Sequence, residues 1–258
     1  MTSSSKIDTW SATQYTKFEA ERNRPIYDLL NRIPNTTIKT AADIGCGPGN
    51  STALLKAKYP DADVTGIDSS ADMIAAARKR FPDVNFEIAD INHSETNDRF
   101  YVILANASLQ WVPDHDLLFP SLLNKLTPGG SLAVQMPDNF DEPAHRLMRE
   151  VAASGPWVEK LTDATNRIAR QSPQWYYELL HSQVSNIDIW RTTYFHLLEG
   201  GAHSIVEWFK GTGLRPYLDA LDKTEQKGFL ADYESAVADA YPQLKSGAVL
   251  LHFHAYSL

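Results

Sequence analysis

The segment from Lys39 to Met136 alternates short apolar runs with amphipathic stretches, and this alternation constrains the fold more than any other feature. Short apolar runs predict buried strands, and apolar residues at helical spacing predict helices between them. The predicted strands fall at 40–44, 62–67, 84–89, 101–105 and 131–136. Strands separated by helices need right-handed crossovers, so the pattern predicts an α/β fold with a mostly parallel sheet and helices on both faces.

The predicted helices of this segment begin at small polar residues and end at proline or glycine. They fall at 51–59, at 70–80 and at about 114–126, where Pro128-Gly129-Gly130 ends the third. The candidate amino-terminal caps are Asn50 or Ser51 for the first helix and Ser69 or Ser70 for the second.

The rest of the chain divides into three parts around this core, which we place at 37–140. Residues 1–36 are predicted to form an N-terminal helical lid segment, and 141–186 a helical cap. Residues 187–258 are predicted to supply late strands of the sheet, with a helical insertion at about 203–245. The cap is therefore discontinuous along the chain.

Composition excludes several classes of function for these 258 residues. A formal net charge of -8 argues against broad binding to nucleic acid. No stretch approaches the ~20 apolar residues that span a bilayer, and the first ten residues lack the apolar core of a signal peptide. The single cysteine, Cys46, fits a reducing compartment, so we expect a cytoplasmic protein.

A turn with three closely spaced glycines, Gly45, Gly47 and Gly49, follows the first predicted strand and precedes a predicted helix. Glycine lets the backbone approach a nucleotide without an intervening side chain. The third glycine falls one place too early for the dinucleotide pattern G-x-G-x-x-G, and no lysine follows as in a phosphate-binding P-loop. Cys46 has no neighbouring His or Lys to activate it, which predicts a small buried residue rather than a nucleophile.

Acidic residues stand at the ends of the first three predicted strands: Asp43, Asp68 and Asp90. The carboxylate of Asp68 could accept from both hydroxyls of a ribose, and that of Asp90 from an adenine amino group. A pyrophosphate would be repelled by three carboxylates, whereas a sulfonium compound that carries an ammonium would be attracted.

The acid-glycine turn and the later acids resemble those of class I S-adenosylmethionine-dependent methyltransferases. The resemblance implies a Rossmann-like sheet, S-adenosyl-L-methionine as donor and S-adenosyl-L-homocysteine as product. The cofactor-binding residues it implies are Tyr15, Asp43, Gly45, Cys46, Gly47, Gly49, Asp68, Ser69, Asp90, Ile91 and Asn106.

Other stretches resemble one branch of this family, whose members methylate a carboxylate of trans-aconitate. These stretches lie at 10–15, 22–25, 41–52, 106–115, 135–139 and 190–194. The resemblance implies a monomethyl ester as product. A polycarboxylate needs several donors, and arginine matches a carboxylate best. The candidate substrate-binding residues are Arg24, His115, Gln135, Asn139, Trp190, Arg191 and Arg215, with Trp111 and His115 as orienting residues and no certain catalytic residue.

Three alternatives stay open at this point. The acceptor could be another small acid or a hydroxyl, and a hydroxyl would need a base such as His115. A nicotinamide-dependent dehydrogenase is disfavoured by the early third glycine and by Asp90. A binding protein without catalysis would keep the same turn. A metal site has little support, since His252 and His254 form a pair without a third ligand nearby.

Overall fold

The computed structural model describes residues 18–90, 99–165 and 171–258. The helices are α1 (Glu19–Arg32), α2 (Asn50–Lys58), α3 (Ala71–Arg80), α4 (His115–Leu123), α5 (Pro143–Ser154), α6 (Val158–Thr165), α7 (Pro173–Leu180), α8 (Ala202–Lys210), α9 (Arg215–Leu218) and α10 (Lys223–Ala240). The strands are β1 (Thr40–Ile44), β2 (Asp63–Asp68), β3 (Asn85–Ile88), β4 (Phe100–Asn106), β5 (Leu126–Pro137), β6 (Trp190–Leu198) and β7 (Val249–Ser257). A short 3-10 helix, Leu109–Trp111, follows β4.

The strands have the order β3-β2-β1-β4-β5-β7-β6. Strands β1 to β5 pair in parallel. Val134 and Leu258 exchange both backbone hydrogen bonds, and Asp138 N–H donates to the carbonyl of His254. The reciprocal pair, with partners that advance in opposite directions, makes β7 antiparallel to β5. The predicted α/β fold with a mostly parallel sheet is therefore confirmed.

The described residues form two compact units: 18–90, 99–137, 171–191 and 256–258 in the first, and 138–165 and 192–255 in the second. The prediction drew 141–186 as one helical cap, but the first unit includes α7. Tyr176 and Leu180 of this helix lie in a core cluster with Phe119 of α4 and Val134 of β5. The apolar face of α7 therefore covers the sheet.

Both faces of the sheet in the first unit are buried. Alternate residues of β4 face opposite sides: Val102 and Leu104 pack with α1 and α2, whereas Ile103 and Ala105 pack with α4 and α7. A strand buried on both faces reads as a continuous apolar run, which explains why this segment was recognisable from sequence.

Two predicted helix boundaries are wrong. Helix α2 has Gly49 as its N-cap, with φ +90° and no side-chain cap, instead of Asn50 or Ser51. Pro128, Gly129 and Gly130 lie within β5, because α4 already ends at Leu123. The β4–β5 register shifts between Phe100 and Val102, so the glycines occupy a bulge.

The predicted cap of α3 is confirmed for Ser70, whose hydroxyl accepts from the backbone N–H of Met73 at 3.2 Å. This bond satisfies one of the otherwise unpaired amides of the first helical turn.

The second unit has its own aromatic core. Trp157 contacts Phe229 edge-to-face at 5.4 Å between ring centroids, and Tyr217 stacks on Phe229 at 5.6 Å. The Tyr233 hydroxyl donates to the carbonyl of Ala144, which ties α10 to α5. In the part of the chain that the structure describes, no helix is long and apolar enough to cross a membrane.

Candidate active site

The glycine turn between β1 and α2 adopts a backbone that other residues rarely reach. The φ angles of Gly45, Gly47 and Gly49 are +71°, +53° and +90°. A Cβ on Gly45 would lie 2.2 Å from Cβ of Ser108, so the chain after β4 packs directly on this glycine. A Cβ on Gly47 would meet nothing within 4 Å. The turn therefore presents bare backbone to open space at the carboxyl end of β1, where ligands of such sheets bind.

Asp68, at the end of β2, is bonded to the turn. Its Oδ2 accepts from the N–H of Gly47 at 2.9 Å, and its Oδ1 accepts from the N–H of Ser70 at 2.9 Å. These two bonds fix the plane of the carboxylate, which is the condition for accepting both hydroxyls of a diol. Ser69, between these elements, is exposed.

Asp43 is fully buried behind the turn. Its Oδ2 accepts hydrogen bonds from the hydroxyls of Ser51 and Thr52, both at 2.6 Å. Desolvation is the largest influence on this carboxyl and raises its pKa to about 6, although both hydroxyls act in the opposite direction. Its burial makes Asp43 a source of negative charge beneath the turn, and its predicted contact with the cofactor stays a prediction.

Buried oxygens without hydrogen-bond partners among the described residues lie near these strand ends. They are Oδ1 of Asp43, Oδ1 of Asn106 and Oε1 of Gln110. In the pairing of β1 with β4, Asp43 lies opposite Leu104. Asn106 is the last residue of β4, two positions further along the strand. Acceptors that lack donors in a desolvated place suit a ligand that brings N–H groups and positive charge. This arrangement fits an ammonium-bearing sulfonium donor.

The remaining donor-site predictions fall in different places. Cys46 is buried, and burial raises the pKa of its thiol further, which agrees with an inert residue. Asp90 is exposed two residues after β3. Tyr15 and Ile91 lie outside the described residues.

Both ring nitrogens of His115 lie within hydrogen-bond distance of other residues of the protein. Its Nδ1 lies 2.5 Å from the hydroxyl of Tyr176, and its Nε2 lies 2.9 Å from the carbonyl oxygen of Leu109. Both ring nitrogens thus have partners within the first unit, and the substrate contact of His115 stays a prediction. Trp111, its predicted partner in orientation, is 42% exposed.

Two other predicted acceptor residues also serve packing. Gln135 is buried, and its Nε2 donates to the carbonyl of Pro25 and to the hydroxyl of Ser257. The guanidinium of Arg32 lies 5.3 Å from the ring centroid of Trp190. Gln135 therefore joins α1 to the sheet, and Trp190 pairs with the end of α1.

Trp190 lines a groove of about 820 Å³ together with Leu126, at the amino end of β5. The glycine turn lies at the carboxyl end of the parallel sheet, so the structure does not bring Trp190 to the turn. Arg191, the next residue of β6, is exposed. The sequence offered no sign of which end of its strand would face a ligand.

The other predicted acceptor residues differ in burial. Arg24 is exposed on α1. The side chain of Arg215 is 13% exposed and lies 3.9 Å from Asp219. Asn139 is buried, its Oδ1 accepts from the N–H of His254 at 2.5 Å, and its Nδ2 has no partner among the residues described. Asn139 thus holds an oriented donor just after β5.

Sequence reasoning missed Ser51, Thr52, Ser108 and Gln110. Ser51 was interpreted only as a candidate helix cap, and a hydroxyl pair directly after a glycine turn could have been matched to the buried acid before it. No group of three His, Cys, Asp or Glu side chains suited to a metal occurs within 18–90, 99–165 and 171–258.

Comparisons with known proteins agree with this geometry. A family described as "Methyltransferase domain" matches residues 41–130. Coclaurine N-methyltransferase, solved with S-adenosylhomocysteine, superposes with a TM-score of 0.53 at 15% identity, over 92% of this chain and 72% of that one. A Haemonchus contortus phosphoethanolamine N-methyltransferase gives 0.51 at 17% identity, over 90% and 51%. The superpositions confirm the predicted Rossmann-like fold, and the family match identifies a methyltransferase domain at residues 41–130.

Relatives in sequence are much more similar. Proteins named trans-aconitate 2-methyltransferase from Rhizobium meliloti and Methylobacterium nodulans are 49% and 51% identical, each over 95% of both chains. One from Yersinia pseudotuberculosis is 49% identical over 96% of both. The chain belongs to the trans-aconitate 2-methyltransferase family, and it is a methyltransferase.

Proposed function

We propose that this enzyme transfers the methyl group of S-adenosyl-L-methionine to a carboxylate of trans-aconitate, with a monomethyl ester and S-adenosyl-L-homocysteine as products. The observation that carries the proposal is the identity of about half of all residues to proteins named for this reaction, over 95% of both chains. Such similarity extends through the cap as well as the donor turn.

The donor is proposed to lie across the carboxyl ends of β1, β2 and β4. Backbone of the glycine turn faces it, the fixed carboxylate of Asp68 accepts from its ribose, and Asn106 and Gln110 accept from its ammonium. Bound there, the donor supplies an electrophilic methyl group. Asp43 contributes negative charge from beneath the turn.

The side chains around the site favour a carboxylate acceptor over a hydroxyl. A carboxylate has a pKa near ~4 and is already ionised at neutral pH, so it needs no base. A hydroxyl would need one, and our candidate was His115, whose two ring nitrogens already have Tyr176 and Leu109 as partners. Holding ionised acceptor and donor at attack distance can lower the barrier by on the order of 7–11 kcal/mol.

Asn139 and Arg215 are the residues that we propose for acceptor binding, with Arg24 as a further candidate. The buried Nδ2 of Asn139 can donate to one carboxylate oxygen, and a guanidinium can bind two in parallel. A general charge of -8 requires such local donors for a trianionic ligand. The single cysteine supports a reducing compartment, so we propose that the reaction occurs in the cytoplasm.

The proposal is tested by incubation with methyl-labelled donor and a panel that contains trans-aconitate, cis-aconitate, citrate and a small phenol. We expect label in trans-aconitate, released by mild base as expected of an ester, with the product mass raised by one methyl group. Label transferred only to the phenol would refute the carboxylate reaction. Label in another acid but not in trans-aconitate would refute the proposed substrate.

A further inference from the structure

Arg80, the last residue of α3, bonds to separate segments around the donor turn. Its Nη1 donates to Oδ1 of Asn50 at 2.7 Å and to the carbonyl of Pro48 at 3.2 Å. Its Nη2 donates to Oε1 of Glu19 on α1 at 2.7 Å. One planar guanidinium therefore joins the end of the glycine turn, the start of α2 and the start of α1.

The same side chain also packs beneath the turn. Its guanidinium carbon lies 5.0 Å from the ring centroid of Phe81. A Cβ on Gly49 would come within 2.8 Å of Cδ2 of Phe81, so the turn rests on this ring. Arg80 covers the ring from outside, and its side chain is 29% exposed. The turn is thereby held at Gly49, whereas the backbone at Gly47 faces open space.

Helix α1 is bound to the turn at a second point. Nδ2 of Asn50 donates to Oδ1 of Asn23 at 3.4 Å. Glu19 and Asn23 are four residues apart and share one face of α1, so that face is directed at the turn. Asn50 receives Arg80 on its oxygen and contacts Asn23 through its nitrogen, which makes Arg80, Asn50 and α1 one connected network.

We propose that Arg80 is a positioning residue for donor binding: it holds the glycine turn and the start of α1 in the arrangement that the donor requires. The inference rests on the proposed donor site at this turn. A binding loop that is already ordered loses less conformational entropy when its ligand binds, so removal of the clamp lowers affinity without removing a ligand contact. Arginine is needed because lysine cannot donate in a planar fork to several partners at once.

The test measures S-adenosylhomocysteine affinity by calorimetry for wild type, Arg80→Met, Arg80→Lys, Glu19→Gln and the double variant Arg80→Met/Glu19→Gln. Methionine keeps the unbranched stem over Phe81. We expect Arg80→Met to weaken binding about tenfold, the size that follows from loss of a charged hydrogen bond that orders a loop, and Arg80→Lys to weaken it less. Glu19→Gln added to Arg80→Met should change affinity less than about twofold, because its partner is gone.

Arg78→Met is the matched control. Arg78 is on the same helix and donates to the carbonyl of Phe86 at 2.6 Å, so this variant also loses an arginine hydrogen bond. It should lower thermal stability yet keep the affinity of wild type. In steady-state kinetics, Arg80→Met should raise KM for the donor and change kcat less than about twofold.

The outcomes separate the inference from the donor site itself. Wild-type protein that is folded and binds no S-adenosylhomocysteine would overturn both. Wild type that binds, together with folded Arg80→Met of unchanged affinity, would overturn the positioning role alone. The positioning role would also be overturned if Arg78→Met weakened S-adenosylhomocysteine binding as much as Arg80→Met. The weaker binding would then result from lower overall stability and not from loss of the Arg80 hydrogen bonds.

Discussion

Replacement of Asp43 by asparagine should change how the stability of the protein depends on pH. Burial raises the pKa of this carboxyl from 3.8 to about 6. A carboxyl whose pKa is higher in the folded chain stabilises the fold fully below its unfolded pKa, and this contribution is lost as the pH rises through about 6. A shift of about two units corresponds to about 3 kcal/mol for a fully buried group.

The side chain of Asp43→Asn cannot ionise, so the stability of this variant does not fall through ionisation at position 43 as the pH rises. The unfolding free energy of Asp43→Asn minus that of wild type should therefore increase by about 2–3 kcal/mol between pH 4 and pH 7.5. Urea unfolding at several pH values measures it, and other titrating groups cancel largely in the difference. Ser51→Ala is a useful companion, because loss of its 2.6 Å hydrogen bond should raise the pKa of Asp43 further and move the transition to higher pH.

The same carboxyl should couple pH to donor binding. An ionised Asp43 attracts a cationic ligand, so the ligand lowers the pKa of Asp43 in return and releases a proton when it binds between about pH 5 and 7. Calorimetry in two buffers of different ionisation enthalpy detects the release, which Asp43→Asn should abolish. A stability difference that is flat or falls with pH would refute the reasoning on burial.

Other variants test the site by separate measurements. Asp68→Ala should lower affinity for S-adenosylhomocysteine at least about tenfold in calorimetry, because the turn amide and the ribose both lose their acceptor, and an unchanged affinity would exclude the proposed ribose contact. Gly45→Ala should lose about 3 kcal/mol in urea unfolding, since its Cβ would lie 2.2 Å from Ser108, whereas Gly47→Ala, with open space, should lose only about 1 kcal/mol. Equal losses would contradict the packing argument. Arg215→Met should raise KM for trans-aconitate about tenfold with donor affinity kept, and an unchanged KM would remove Arg215 from the acceptor site.

The sheet was predictable because its strands are buried on both faces. Val102 to Ala105 form an unbroken apolar run, and an apolar run between turn signals indicates a strand whatever lies around it. The boundary at Gly129-Gly130 was mispredicted for the opposite reason. Glycine often follows the end of a helix, which is why a helix end was predicted there. In the structure, pairing with β4 places both glycines in a strand, and the sequence around them gives no sign of that pairing.

Half of the site follows from backbone requirements and half from neighbours that are distant in sequence. The glycines of the turn had to be glycines because of their φ angles, and the acid at the end of β2 lies beside them in any parallel sheet of this order. For Gln110 and Arg80, neither a backbone requirement nor the position at a strand end indicates a role in the site. An arginine that ends a helix is typical of the macrodipole effect, and only the fold shows that Arg80 points at Pro48 and Glu19.

His115 shows that the hydrogen-bond partners of a histidine, and not its residue type alone, determine whether it can act as a base. A histidine beside a rare motif was a reasonable base, and its residue type alone permits that role. The fold places Tyr176 of α7 on one ring nitrogen and a carbonyl on the other. An imidazole bonded on both sides holds α4, α7 and the 3-10 helix together and cannot collect a proton from a third group without breaking one of these bonds. A carboxylate acceptor makes no demand on His115, because it is already ionised at neutral pH and needs no base.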